Sequence, residues 1–355
     1  MDNLELLSVM LRIQSLSGQE VKLARFLVDE LHERGFRSYI DSAGNAVGEI
    51  GDAATGPTIM LLGHMDTVPG DIHVRREGDL LYGRGACDAK GPLATFIAAA
   101  SRFEGPGRVV VVGAVEEEAA TSKGARVIAN TFSPDCAVIG EPSSWDRITV
   151  GYKGRLLASY TVSRESAHTA HDQQNASETA VAFWQTVMDA SAKANANRPA
   201  GAFERLSPSL RMMSSASDGM RDIASLSLGF RLPPGFSADA WRAELIELAI
   251  GAYVEFSAYE PAVRVPKNTP VARAFLHSIR AHGGNPRFVV KTGTSDLNVV
   301  SEKWGCPMLA YGPGDSLLDH TPHEHINIHE YQSAIDVLTM VLEDMPRSLD
   351  GSYPS

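Results

Sequence analysis

The stretch that most constrains the fold is an uninterrupted apolar run, Ile59 to Leu62, which ends after one glycine in His64-Met65-Asp66. A continuous apolar run of this length predicts a strand buried on both faces of an α/β sheet. Open α/β sheets bind ligands at the carboxyl ends of their strands, which is where His64 and Asp66 fall. In an extended chain these two side chains point the same way, so one could bind a metal ion while the other orients it. The alternative is a turn with an ordinary hydrogen-bonded histidine.

Acidic residues follow two further predicted strands. Apolar runs over 108–115 and 136–140 each end in carboxylates, which are Glu116, Glu117, Glu118 and Glu141. Carboxylates this close raise one another's pKa unless a cation compensates. The pattern therefore favours a metal site, with a solvated acidic turn as the alternative for 116–118.

Two more segments supply candidate ligands. The glycine-rich segment 83–91 contains Asp88 and precedes a predicted helix; it could be a phosphate loop, but it lacks the Gly-x-x-x-x-Gly-Lys-Ser/Thr pattern. A turn after a predicted strand at 307–311 contains His320, His323 and His325, and neutral histidine is a common metal ligand. Two histidines with at least three carboxylates suit two divalent ions that share a bridging carboxylate.

Length, composition and charge limit the class of protein. The chain has 355 residues, 44% hydrophobic and 21% charged, which predicts a globular protein of two domains. Its net charge of −11 argues against nucleic acid or an anionic membrane as a partner. The three cysteines are far apart, so we expect no disulfide framework, and we find no signal peptide or membrane-spanning run. These features predict a cytoplasmic protein.

The order of predicted elements indicates an insertion. Helices and strands alternate in 1–152 and 265–355, which predicts a discontinuous α/β domain with a mostly parallel sheet. The intervening 153–264 reads β-α-β-β-α-β, typical of a ferredoxin-like α+β unit with one free sheet face. Near the N-terminus, Ser17 and Glu20 fit a capping box that would open the second helix. Residues 350–355 are predicted to be a frayed tail.

The ordered motifs resemble those of the M20 family of metallopeptidases and deacylases. They are His64-x-Asp66, Gly83-Arg84-Gly85 with Asp88, Glu117-Glu118, Gly140-Glu141-Pro142 and Asp319-His320-Thr321-Pro322. The resemblance covers nearly the whole chain. It implies a zinc-exopeptidase-like catalytic domain, with residues 153–264 as an inserted lid and dimerisation domain.

The resemblance also implies roles for the polar residues of the first domain. One divalent ion would be held by His64 and Glu141 and the other by Glu118 and His320, with Asp88 as the bridge. Glu117 would be the general base, and Asp66 would orient His64. Zinc is the expected metal, with cobalt as a second possibility. The chain departs from the family in having Glu116 and Asp319 where Asp and Ala are usual.

Three further segments resemble the family's substrate-contacting motifs. His168 corresponds to a histidine that reaches the site of the partner subunit and polarises the scissile carbonyl, which implies a homodimer. Arg231 corresponds to an arginine that binds a substrate carboxylate, and Thr294 and Ser295 to a turn that touches substrate. Without the resemblance, these would be a surface histidine, a strand-end arginine and a helix N-cap.

Within the family, the chain is most similar to the LysK subgroup. The similarity lies in its short length, the brief link from Pro69 to Gly83, and the segments Lys-Thr-Gly-Thr-Ser-Asp and Tyr-Gly-Pro-Gly-Asp-Ser. It implies hydrolysis of the amide joining lysine or ornithine to the small acidic carrier protein LysW, in lysine or arginine biosynthesis. Alternatives are deacetylation of N-acetyl-ornithine or N-acetyl-lysine, an M20 dipeptidase, a succinyl-diaminopimelate desuccinylase, or a non-hydrolytic metal-binding protein on the same scaffold.

Overall fold

A computed structural model of the chain describes residues 1–168 and 173–349. The helices are α1 (Asn3–Arg12), α2 (Val21–Glu33), α3 (Lys90–Ala100), α4 (Lys123–Thr131), α5 (Ala176–Asn195), α6 (Ala238–Leu248), α7 (Pro270–Ala281), α8 (Asp296–Trp304) and α9 (Ile328–Leu349). The strands are β1 (Arg37–Ile40), β2 (Ala46–Asp52), β3 (Thr58–His64), β4 (Arg75–Glu77), β5 (Leu80–Tyr82), β6 (Gly107–Ala114), β7 (Cys136–Gly140), β8 (Arg147–Tyr152), β9 (Gly154–Glu165), β10 (Ser207–Ser217), β11 (Arg221–Leu232), β12 (Tyr253–Glu260), β13 (Val263–Arg264), β14 (Arg287–Lys291), β15 (Met308–Tyr311) and β16 (His325–Asn327). The predicted tail, 350–355, lies outside the described residues.

The chain divides into two compact units, of which the first is an α/β unit. It comprises Met1–Gly151, Val265–Val290 and the described residues from Ser295 onward. Its main sheet has the strand order β1-β2-β6-β3-β7-β15-β8. The four central strands are parallel, whereas β1, β2 and β8 pair antiparallel with their neighbours. The predicted α/β fold is confirmed; the sheet is mixed, and its core is parallel.

The central strands are buried along their length, as a sheet covered on both faces requires. All seven residues of β3 are buried, and β7 and β15 are buried throughout. Leu61, Val111 and Val138 belong to the main hydrophobic cluster, together with apolar residues of α1, α2, α3, α7 and α9. The continuous apolar runs in the sequence reflect this burial.

Three glycines lie side by side in the sheet beneath helix α3 and leave room for its apolar side chains. Gly63 of β3 is in register with Gly113 of β6 on one side and with Gly140 of β7 on the other. A Cβ added at Gly113 would lie 3.2 Å from Leu93, and one at Gly140 would lie 3.0 Å from Phe96. Both apolar side chains belong to α3, so the glycine row sets how closely this helix approaches the sheet.

The second unit is a four-stranded antiparallel sheet with two helices. It comprises Tyr152–Arg264 and Lys291–Thr294, and its elements follow the order β9-α5-β10-β11-α6-β12. The sheet order β10-β11-β9-β12 is that of a ferredoxin-like unit. Alternate residues of β9, including Leu156 and Tyr160, are buried with the apolar faces of α5 and α6. Its role as a lid or in dimerisation stays a prediction.

Several local features differ from those predicted. Helix α1 ends at Arg12, earlier than its apolar spacing suggests, and the sequence did not predict α4 or α8. The capping box predicted from Ser17 and Glu20 is wrong, because Glu20 is itself the N-cap of α2 and makes no side-chain capping bond. None of the helices in 1–168 and 173–349 combines the length and apolar character that crossing a membrane requires.

Candidate metal centre

Four parallel strands bring the candidate ligands to one edge of the main sheet. Because β6, β3, β7 and β15 are adjacent and parallel, their carboxyl ends lie side by side. His64 is the last residue of β3, Glu141 follows β7, and the turn 116–118 follows β6. The loop after β15 leads to His320, and Asp88 lies in the loop between β5 and α3. Sheet topology thus collects residues that are up to about 250 positions apart in the sequence.

Asp88 lies between two histidines and turns a different oxygen to each. Its Oδ1 is 3.0 Å from Nε2 of His64, and its Oδ2 is 3.1 Å from Nε2 of His320. Nε2 of His320 also lies 2.8 Å from Oε1 of Glu118. Asp88, Glu118 and His320 form a group whose ligand atoms all lie within 4.8 Å of one another. Asp88 therefore has the arrangement of a carboxylate able to bridge two ions.

His325, another histidine of this turn, is directed differently. Nδ1 of His325 is 2.7 Å from the carbonyl oxygen of His323, and the ring of His325 lies 4.8 Å from that of Tyr82. His320 is the histidine of the turn that contacts both carboxylates of the ligand group. It adopts a left-handed φ of 61°, which a non-glycine residue adopts only when its surroundings hold it there.

Burial and mutual repulsion perturb the pKa values of the acidic residues. Burial raises the pKa of Glu117 well above its usual value, and the carboxylates of Glu141 and Asp296 raise it further against the opposing effect of His64. Burial and the neighbouring Asp88 likewise raise the pKa of Glu141. Buried carboxylates this close to one another require compensating positive charge.

The pKa values of the two histidines are also raised, but here the neighbouring carboxylates are the cause. Hydrogen bonds to Asp88 and Glu118 raise the pKa of His320 to about 10. Burial alone would lower the pKa of His64, but the carboxylates of Asp66 and Asp88 outweigh it and leave that pKa well above its usual value. The raised pKa values of both imidazoles reflect the negative charge gathered at this site, which favours a bound cation.

The donor set suits divalent ions such as zinc. Zinc binds histidine nitrogen and carboxylate oxygen at about 2.0–2.2 Å, so tetrahedral ligands lie roughly 3.3 Å apart. The contacts of Asp88 and Glu118 with the two histidines, 2.8 to 3.1 Å, are close to that separation.

The turn that carries Glu117 and Glu118 is held by Asp66. Its Oδ1 accepts the backbone N–H of Glu117 at 3.0 Å, and its Oδ2 accepts that of Glu118 at 3.1 Å. Nδ1 of His64 is 3.1 Å from the carbonyl oxygen of Asp66 and 3.5 Å from its carboxylate. Asp66 is fully buried, so these bonds replace water that it cannot reach. It therefore positions the acidic turn as well as contacting the histidine.

Comparison with known proteins identifies the family. Residues 60–344 match the model of peptidase family M20/M25/M40. The chain belongs to this family. It is 48% identical over 349 residues to the "[LysW]-lysine hydrolase" of Deinococcus radiodurans, covering 95% of each chain. As a member of the M20 peptidases, it is a hydrolase that acts on an amide bond.

Solved M20 structures have the same fold. A metallo-carboxypeptidase of Sulfolobus solfataricus aligns with a TM-score of 0.82 at 18% identity, over 98% of this chain and 100% of that one. A Bacillus subtilis protein described as a dinuclear metal binding peptidase aligns with a TM-score of 0.68 at 14% identity, over 98% of each chain. The M20 fold that the sequence motifs imply is confirmed.

The M20 motifs of the second unit have their own contacts. His168 is exposed and lies beyond the end of β9; Thr169 and Ala170, which complete its motif, are outside the described residues. Nη1 of Arg231 donates a hydrogen bond of 2.7 Å to Oγ1 of Thr294. These three residues keep their predicted roles as proposals.

Ser295 of the first unit caps helix α8. Its side chain accepts the N–H of Leu297 at 3.2 Å, and its own N–H donates to Oδ1 of Asn298 at 2.9 Å. Both bonds of a capping box are present. The helix N-cap weighed in the sequence analysis is what the structure shows, and contact with substrate stays a proposal.

Three supporting residues of this M20 site were missed or misinterpreted from the sequence. Ser17 donates a hydrogen bond of 2.7 Å to Oδ2 of Asp66, and Glu20 accepts the N–H of Glu116 at 3.1 Å. Glu324 accepts backbone N–H groups of the loop that carries Asp88. The local spacing of Ser17 and Glu20 resembled a helix cap, and no sequence pattern marked Glu324 apart from its place in Thr-Pro-x-Glu.

Replacing Ser17 by alanine should destabilise the metal-free protein. The change removes a hydroxyl donor from a buried carboxylate, and such charge-assisted bonds contribute about 1.5–3 kcal/mol. We expect the free energy of unfolding in urea to fall by about that amount. Ser8→Ala is the matched control, because the Ser8 hydroxyl only donates to the carbonyl of Leu4 within α1. Equal losses in the two variants would show that Ser17 gives no special support to Asp66.

Proposed function

We propose that this chain hydrolyses the amide bond that joins lysine, or ornithine, to the carrier protein LysW. The observation that carries the proposal is its 48% identity, over 95% of both chains, to the "[LysW]-lysine hydrolase" of Deinococcus radiodurans. At the same edge of the sheet lie a candidate general base and a candidate ligand set. The reaction belongs to lysine or arginine biosynthesis and would take place in the cytoplasm. Free cysteines at all three cysteine positions are in keeping with a reducing compartment.

The proposed cofactor is a pair of divalent ions, with zinc preferred and cobalt as the second choice. His64 and Glu141 would hold one ion, Glu118 and His320 the other, and Asp88 would bridge them. The two oxygens of Asp88, directed to different histidines, support this division. When bound, such ions supply Lewis-acid polarisation of a carbonyl and favour ionisation of water at neutral pH.

Glu117 is the proposed general base. Its backbone is fixed by Asp66, and its carboxylate lies among the other acids of the site. It would take a proton from the water that attacks the amide carbonyl and then deliver that proton to the departing amine of lysine. The C–N bond breaks as the amine accepts the proton, which leaves a free carboxylate on the carrier.

A homodimer is proposed through the second unit. Strand β10 is an edge strand of its sheet, and nearly all of its residues are exposed. Met212 and Met213 on this strand are 60% and 43% exposed. An edge with unpaired backbone groups and apolar side chains can pair with a second chain. In such a dimer, His168 of one subunit would polarise the scissile carbonyl at the metal centre of the other.

Arg231, Thr294 and Ser295 are the proposed substrate-binding residues. The guanidinium of Arg231 is an apt partner for the α-carboxylate of lysine, because it can bind a carboxylate with two parallel hydrogen bonds. Its bond of 2.7 Å to Thr294 holds the guanidinium beside the turn that carries Thr294. Ser295 would contribute through the helix N-terminus that it caps.

Recognition of an acidic carrier requires local positive charge, because the chain itself carries −11. Four arginines are candidates because two lie in the link before Asp88 and two lie on the first strand of the second unit: Arg75, Arg76, Arg155 and Arg164. Arg75 and Arg76 are exposed on β4, where Arg75 pairs with Glu77 at 2.6 Å. Arg155 and Arg164 are half-buried, and the Nε atom of Arg155 is fully buried. We therefore favour the β4 pair as the carrier-facing charges.

A comparison of substrates tests the carrier assignment. We expect kcat/KM for LysW-linked lysine to exceed that for N-acetyl-lysine and N-acetyl-ornithine, and to fall between about 20 and 200 mM salt as charge attraction is screened. Arg76→Gln should lower kcat/KM for the carrier substrate alone. Arg273→Gln, an exposed arginine on α7, is the matched control. Faster, salt-independent hydrolysis of the acetyl compounds would overturn the carrier assignment and leave a deacetylase.

A further inference from the structure

Glu324 is a buried carboxylate that contacts the backbone of the Asp88 loop. It is 1% exposed, and its Oε1 accepts the N–H of Cys87 at 2.9 Å and that of Asp88 at 3.1 Å. Its own carbonyl accepts the N–H of Gly83 at 3.3 Å. A side chain four residues beyond His320 therefore holds the loop that presents Asp88.

Arg84 contacts the other oxygen of the Glu324 carboxylate. Its Nη1 lies 2.8 Å from Oε2 of Glu324 and 3.1 Å from the carbonyl oxygen of Thr321, the residue after His320. Its Nε donates to the carbonyl of Gly70, in the segment that follows β3, at 2.9 Å. The guanidinium is 11% exposed and bonds to two chain segments besides its own.

These bonds join the two loops that supply Asp88 and His320. Asp88 has to turn one oxygen toward each histidine, so a shift of its loop by a fraction of an ångström would alter both contacts. The carboxylate of Glu324 fixes the backbone of the Asp88 loop directly, and Arg84 ties that carboxylate to the His320 turn. Neither side chain contacts a candidate ligand atom in any described hydrogen bond, so both act through the backbone.

We propose that Arg84 and Glu324 form a buried clamp that sets the distance between Asp88 and His320, and with it the affinity and geometry of the metal site. They are positioning residues and touch neither substrate nor ion. The inference rests on the proposed ligand roles of Asp88 and His320. It requires no particular substrate, so loss of the carrier assignment would leave it intact.

Glu324→Gln is the direct test because it preserves the size of the side chain. The single amide oxygen can accept from the Cys87 and Asp88 N–H groups, but the NH₂ group then faces the donors of Arg84. We expect the affinity for Zn²⁺, measured by competition with a chelating dye, to fall by about 10–100-fold, as is typical when groups supporting metal ligands are changed. The absorption spectrum of the Co²⁺-loaded variant should change in band position or intensity.

Arg84→Lys provides a milder second variant. Lysine keeps the charge, but its single ammonium cannot reproduce the planar fork that contacts Gly70, Thr321 and Glu324 together. We expect the same direction of change, with a smaller loss of Zn²⁺ affinity. If Glu324→Gln does not fold, as judged by circular dichroism, Arg84→Lys alone decides the question.

Glu49→Gln is the control for loss of a buried ion pair elsewhere in the unit. Glu49 is 7% exposed and pairs with Arg37 at 2.8 Å and with Arg108 at 3.0 Å. The Glu49→Gln change should lower the thermal midpoint of the metal-free protein but leave the Zn²⁺ affinity and the Co²⁺ spectrum as in wild type. Wild-type affinity and spectrum in both Glu324→Gln and Arg84→Lys would overturn the clamp. The clamp would also be overturned if Glu49→Gln weakened Zn²⁺ binding as much as Glu324→Gln and Arg84→Lys do.

Discussion

Glu117→Gln is expected to lower kcat by about 10²- to 10⁴-fold, the range typical of losing a general base. The amide keeps the shape of the side chain and its place on the turn fixed by Asp66, but it cannot accept a proton. Metal content, measured by elemental analysis, should stay at the wild-type level. KM should change little, because Glu117 acts on the proton transfer in the transition state and not on the binding of substrate.

The control for this variant lies one residue earlier. Glu116 belongs to the same acidic turn, but its carboxylate accepts from Oγ1 of Thr121 at 2.6 Å and lies 3.9 Å from Nζ of Lys123. Glu116→Gln should therefore retain kcat within about twofold, which separates a general charge effect from loss of the base. If Glu117→Gln lost metal and kept its turnover per bound ion, the roles assigned to Glu117 and Glu118 would be reversed.

His168→Ala should lower kcat by about 10²- to 10³-fold, the cost of removing one donor to a developing oxyanion. Metal content and the thermal midpoint should match wild type, because His168 is exposed and belongs to the second unit. His282→Ala is the control histidine; its ring contacts the carbonyl of Ser278 at the end of α7. It should keep full turnover.

Mixing two inactive variants tests whether His168 acts across a dimer. A heterodimer of His168→Ala with Glu117→Gln contains one site in which both residues are intact. After verified subunit exchange, random mixing would make half of the dimers heterodimers, and activity should rise to about a quarter of wild type. An unchanged, near-zero activity in the exchanged mixture would rule out action in trans.

The features that depend on local chain periodicity could be predicted from the sequence. Burial on both faces makes β3 and β7 continuously apolar, so these strands and the polar residues that end them could be predicted. Because parallel strands end at the same edge of a sheet, these polar residues could also be predicted to lie close together. The ferredoxin-like unit could likewise be predicted, because the alternation along β9 follows its half-buried face.

The missed features depend on contacts between distant segments. Ser17 and Glu20 have the spacing of a helix cap, but their partners lie 49 and 96 residues further along the chain. The bond between Arg84 and Glu324 spans 240 residues. Local spacing contains no information about such partners, and a side chain that satisfies a tertiary contact is no longer available to cap its own helix.

The glycine row beneath α3 has a consequence for metal preference. Divalent ions differ in their required ligand distances, from about 2.0 Å for zinc to about 2.3 Å or more for calcium. Asp88 lies two residues before α3, so the height of this helix above the sheet sets how far its carboxylate stands from His64 at the end of β3. If Asp88 and His64 hold an ion as proposed, residues that bind no ion, such as Gly113 and Gly140, would help decide which ion fits. A methyl group added at either one would press on Leu93 or Phe96 of α3, and any shift of the helix that followed would move Asp88 relative to His64.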